Sequence, residues 1–172
     1  MTYIPAFDPF AASYRMLHIL THLQQDEVVE ADRLCIFDFY LLFPERTYAI
    51  HLKADETDLR ALRTKYVKRR SNPYNPYIQN RRLYARIHTY QRIALNHLAA
   101  YGLLCPQSLR EHRIRLTQPE QINELIRHTE PLSEEEQNVL SWLSLSFRLT
   151  PLRGTDGLKQ RTNLLEYKYD GC

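Results

Sequence analysis

The sequence predicts a mainly α-helical protein with a small β ribbon, ordered like a winged helix, and three of its features carry that expectation. A long amphipathic stretch runs from about Asn80 to Tyr101 and stops at Gly102; two short apolar segments, Leu103–Cys105 and Ile114–Leu116, follow it; and helix-starting motifs recur on both sides. With 172 residues, 44% of them hydrophobic and 25% charged, there is material for one domain with a real core or a helical body carrying a small lobe. Two enzyme domains would not fit. The expected organisation is a winged-helix-like core with an N-terminal helix over 1–117, and a helical extension and tail over 118–172 packing on the same core.

From about Pro9 to Leu23, Phe10, Tyr14, Leu17, Leu20 and Leu23 recur at steps of three and four, the spacing of one helical face. Asp32 precedes the most apolar run of the chain, Leu34 to Phe43, which Pro44 closes. The length of the run and Asp32 as an N-cap favour a helix over a buried strand. Asp55-Glu56-Thr57-Asp58 opens a short helix through Leu59, Leu62, Tyr66 and Val67. The tandem Asn-Pro-Tyr of residues 72–77 reads as a loop, because each proline removes a donor and biases its predecessor away from helix.

In the long helix, Leu83, Ile87, Tyr90, Ala94, Leu98 and Tyr101 fall within an arc of about 80° at 100° per residue, with Arg82, Arg86, Thr89, Arg92 and Asn96 on the other side. Gly102 supplies the left-handed residue beyond the helix end. Thr117-Gln118-Pro119-Glu120 has the form of a capping box for a helix to about His128. Ser133-Glu134-Glu135-Glu136 has it for one through Val139, Trp142 and Phe147. Leu164 to Tyr169 suit a terminal strand.

Charge is unevenly placed. Eleven Arg or Lys fall between Arg60 and Arg110 with no Asp or Glu, which leaves twelve basic residues against all twenty acidic ones elsewhere. A basic block in an otherwise acidic chain points to a polyanion or an acidic protein surface. The residues expected to bind a macromolecule are Arg69, Arg70, Tyr74, Tyr77, Arg81, Arg82, Arg86 and Arg92. The guanidinium groups suit phosphates and the tyrosines suit stacking, but Arg and Tyr are also enriched in protein interfaces. A solvated face without a partner is the third reading, and a protein partner is favoured. Reversing the charge of Arg82 and Arg86 is expected to leave the fold intact.

No catalytic residue, cofactor or metal is expected. Four glycines are too few for a phosphate-cradling loop, and the three cysteines, Cys35, Cys105 and Cys172, lack metal or redox spacing and read as reduced thiols. His18 and His22 stand at i, i+4 without the glutamate or third ligand of a zinc site. Asp38, inside the apolar run, must pair or face out, and a buried pair with an arginine or an exposed stripe outweighs a catalytic acid. No apolar run reaches the roughly 20 residues needed to cross a membrane, and the start lacks a secretory pattern, so the expectation is a cytoplasmic protein that touches no membrane.

Asp38-Phe39-Tyr40-Leu41-Leu42-Phe43-Pro44, the helix end Ala100-Tyr101-Gly102-Leu103-Leu104, the stretch Gly157 to Thr162 and Tyr167-Lys168-Tyr169-Asp170 resemble the middle components of bacterial ABC three-component systems, the group that includes Lamassu-type defence operons. The resemblance implies a non-catalytic accessory subunit of an anti-phage or anti-plasmid complex. Such a subunit bridges an SMC-like ABC ATPase and an effector and works as an oligomer within that complex; double-stranded DNA is the open alternative to protein as the partner of the basic block. A winged-helix transcriptional regulator is the alternative. A scaffold of this kind should have apolar surface left over, whereas a regulator should be a symmetric dimer on a palindromic site.

Phe37, Leu41, Ile87, Leu98 and Trp142 are expected in the core. Truncation of Leu98 to Ala should then cost about 2–5 kcal/mol in urea denaturation, while exposed positions on the same helix cost far less.

Overall fold

A computed structural model describes residues 4–23, 28–69 and 80–165. The protein is mainly helical with a small antiparallel pair of strands. Helix α1 covers Pro9–His22, strand β1 Val29–Glu30, helix α2 Ala31–Leu42 and helix α3 Thr57–Tyr66. Helix α4 covers Asn80–Ala100, α5 Pro106–Arg110, strand β2 Arg113–Ile114, α6 Pro119–Arg127, α7 Glu134–Phe147 and α8 Leu158–Thr162. Short 3-10 turns occupy Pro5–Phe7 and Pro44–Ala49. The chain forms two interleaved units, residues 1–38 with 86–132 and residues 39–85 with 133–172, so α2 and α4 each contribute to both.

The first unit is organised around a buried polar network. Asp38 is fully buried on α2; Arg15 of α1 donates to its two carboxylate oxygens at 2.6 and 3.2 Å, and Gln91 of α4 donates a third hydrogen bond at 2.9 Å. The second proton of the Gln91 amide goes to the Cys35 carbonyl at 2.9 Å, so both its N–H donors are satisfied. Met16, Ile19 and Leu20 of α1, Leu34 and Phe37 of α2, and Ile87 and Leu98 of α4 are buried in the same unit. Of the two outcomes left open for Asp38, pairing or facing out, the structure takes the buried pair with an arginine.

Helix α4 ends as Gly102 dictated. With φ +74, Gly102 takes the left-handed conformation; its N–H bonds the Ala99 carbonyl and the Leu103 N–H bonds the Leu98 carbonyl. This double closure satisfies carbonyls that a helix end otherwise leaves open. The expected ribbon is reduced to one bridge, Leu104 with Leu116, flanked by Cys105 N–H to Arg115 O and Thr117 N–H to Leu103 O. The connection expected to be polar loop contains α5, with Pro106 at its first turn, and reverses through His112 at φ +57. Strand β2 pairs instead with β1, Val29 opposite Ile114 and Glu30 opposite Arg113, a long-range pairing that no local pattern announces.

Two expected caps differ. Asp32 lies inside the first turn of α2, because Val29–Glu30 is held by β2 and the Ala31 N–H bonds the His112 carbonyl, so the helix starts straight out of the strand. Thr117 is no N-cap: its hydroxyl donates to the Gly102 carbonyl, and Gln118 precedes α6 without a side-chain cap. The Ser133 box is formed as expected. Ser133 Oγ accepts from Glu136 N–H and the Glu136 carboxylate accepts from Ser133 N–H at 2.8 Å.

In the second unit α3 packs on α7, where buried Trp142 donates its indole N–H to the Leu59 carbonyl at 3.0 Å and meets Phe147 edge-on. Arg161 of α8 forks onto Glu56 at 2.8 and 3.0 Å and donates to the Asp156 carbonyl at 2.7 Å. The hydrogen bonds from Arg161 hold the Glu56 carboxyl below its usual range. A Cβ on Gly157 would lie 2.5 Å from the Arg153 carbonyl oxygen, so only glycine fits the turn that presents Arg161. Buried Arg46 donates to Asn80, the first residue of α4.

Phe37, Leu41, Ile87, Leu98 and Trp142 are all buried. Within the network, Asp38→Ala should cost about 3–5 kcal/mol, because it strands a buried guanidinium. Replacing both partners, Arg15→Met with Asp38→Leu, should recover much of that loss in urea denaturation.

Candidate functional site

On α4, Arg81, Arg82, Arg86 and Arg92 are all exposed, and Arg69, beyond the end of α3, is exposed as well. The remaining expected residues, Arg70, Tyr74 and Tyr77, lie outside the described residues, as does the expected strand from Glu166 onward. The side chains that the structure places are not equivalent. Arg86 stands over the Phe7 ring at 5.0 Å, and Phe7 in turn meets Tyr90 at 5.6 Å, so this arginine pins the turn preceding α1 onto α4. Reversing Arg86 to Glu would forfeit this ring contact along with the charge. Arg69 lies 5.4 Å from the Tyr48 ring.

Other members of the basic block have internal work. Arg60 donates to the carbonyls of Leu52, Lys53 and Ala54, and Arg63 donates to the Thr47 carbonyl at 3.0 Å while covering the rings of Tyr48 and Trp142. They satisfy backbone acceptors and pack their planar groups on aromatic faces. A charge count along the chain overstates the binding face, because it cannot tell an arginine that closes a turn from one that faces solvent.

The buried arc of α4 is centred on Tyr84, Ile87, Gln91, Ala94, Leu95 and Leu98, rotated by roughly 50° from the apolar arc of the sequence. Gln91 lies within that arc, where its amide completes the Asp38 network, and Tyr101, just beyond the helix end, is 73% exposed. Tyr101 then lines a groove of about 620 Å³ in the first unit, walled by α1 and α6 over the end of α4. Phe10, 67% exposed, and Leu125, 45% exposed, line it too, with Glu124, His97 and His128 among its described lining residues. Phe10 stacks on His97 at 5.5 Å. The sequence places Phe10 and Tyr101 on the apolar faces of their helices, and periodicity alone does not tell them from the buried members of those faces.

The thiols diverge: burial, aided by the Asp38 and Asp32 carboxylates, pushes Cys35 up, whereas hydrogen bonds from Ser108 bring Cys105 down. Among the described residues, no three His, Cys, Asp or Glu are grouped so as to hold a metal ion, and no helix is long and apolar enough to cross a membrane.

The family described as ABC-three component (ABC-3C) system Middle Component 5 matches the chain over residues 1–170. The chain belongs to this family. Membership makes the middle component one part of a multi-subunit system and supports its being a component of a defence system. Neither the curated proteins nor the solved structures contain a match to it.

Arg82→Glu and Arg92→Glu should each change stability by less than about 0.5 kcal/mol, as exposed positions do. Arg86→Ala should lose about 0.5–1 kcal/mol through its ring contact, read by urea denaturation of the three variants side by side.

Proposed function

We propose that this middle component is a non-catalytic accessory subunit that bridges an SMC-like ABC ATPase and an effector in anti-phage or anti-plasmid defence. The observation that carries the reading is the uncovered groove of the first unit, where Phe10, Tyr101 and Leu125 stand in solvent around a concave surface. A protein that functions alone gains by covering such side chains, whereas a subunit leaves them for its neighbour. A scaffold also needs a second contact, and the exposed arginines of α4 offer one of different character, polar and charged, for an acidic protein surface.

A second reading, a winged-helix regulator bound to duplex DNA, draws on the Leu104–Leu116 bridge that follows the arginine-bearing helix. Duplex DNA held by several arginines releases counterions, so its affinity falls steeply between about 50 and 200 mM salt. A protein interface with a desolvated centre responds less.

Co-expressed with the other two components, the chain should co-purify with them at about 200 mM salt, and Arg82→Glu with Arg92→Glu should weaken that assembly. If the double variant assembles normally but no longer retains duplex DNA, the arginines belong to DNA. A symmetric dimer that footprints a palindromic site and ignores both components would replace the scaffold reading with the regulator.

A further inference from the structure

The groove of the first unit has a chemistry that selects its occupant. Both walls are helices, α1 and α6, whose main-chain donors and acceptors are largely satisfied within each helix. An extended segment laid between them would find no ladder to join and would leave its own N–H and C=O groups unmatched in an apolar cleft. A helix brings a satisfied backbone and needs only an apolar face.

Charge narrows the choice. Among the described lining residues Glu124 is the one Asp or Glu and there is no Lys or Arg, with His97 and His128 as the histidines, and Glu124 shares the groove with the exposed side chains of Phe10 and Tyr101. A carboxylate beside exposed aromatic faces accepts a cation, since the ring faces and the acid attract it together. Arg86 and Arg92 lie about 120° around α4 from Leu98, which lines the groove, so they are directed elsewhere.

We propose that the groove seats an amphipathic helix of another component of the system, apolar on one face and carrying a Lys or Arg that meets Glu124. This rests on the accessory-subunit reading above and adds to it the place and chemistry of the contact.

The test uses the full chain, carrying the photo-reactive residue p-benzoyl-phenylalanine in place of Tyr101, co-expressed with the other two components and irradiated. Mass spectrometry should find the cross-link in a partner segment whose apolar residues recur at three- and four-residue steps with a Lys or Arg among them. Glu124→Lys should reduce capture of that partner on the order of tenfold, and reversing the partner's cation to Glu should restore it. Leu125→Asp should reduce capture as well, while Leu149→Asp, an exposed apolar position of the second unit, should not. Matching helical circular dichroism and melting temperatures across the variants assign the losses to the surface.

A cross-link to a second copy of this chain, to a segment without helical periodicity or cation, or to a co-purifying small molecule overturns the proposal. So does an assembled complex that gives no cross-link and tolerates Glu124→Lys. In those cases the accessory reading stands if the three components still assemble. Failure of the unaltered chain to associate with either component removes that reading, and the proposal with it.

Discussion

The carboxylate of Asp38 constrains the first unit more than any other single group. It sits in the most apolar stretch of the chain and is fully buried, so it must be met by charge and by hydrogen bonds at once. Arg15 and Gln91 supply both from two different helices, and the Gln91 amide continues to the Cys35 carbonyl. Apolar packing alone allows a helix to rotate and slide, since one methyl neighbour substitutes for another. A directional set of bonds between α1, α2 and α4 does not. The network fixes which side of α4 faces in.

The groove lies in the same unit. Tyr101, just beyond the end of α4, joins Phe10 of α1 and Leu125 of α6 on its lining, so a core specified by polar contacts and an apolar surface occur side by side. In a subunit of a larger assembly this arrangement is coherent, because a groove already formed costs less to occupy than one formed only on binding.

The arginines divide by environment in the same manner. Arg15, Arg46 and Arg161 are buried against Asp38, Asn80 and Glu56, and Arg60 and Arg63 close turns through backbone carbonyls. Arg82 and Arg92 are exposed on α4. The planar fork of guanidinium serves all of these, which is why residue type and density in the sequence could not separate internal from external roles.

What the sequence by itself determined is local. The helical span of α1 and α4, the Gly102 stop and the Ser133 capping box are set by residues a few positions apart and are present as read, and the cost of one buried carboxylate left Asp38 to pair or face out. The tertiary structure alone decided the pairing of Val29–Glu30 with Arg113–Ile114, the diversion of Thr117 to Gly102, the identity of Arg15 and Gln91 as the partners of Asp38, and the groove that α1, α6 and the end of α4 enclose. The physical reason is common to all four. Each depends on which distant residue competes for a hydrogen bond or an apolar neighbour, and that competition exists only once the helices are packed.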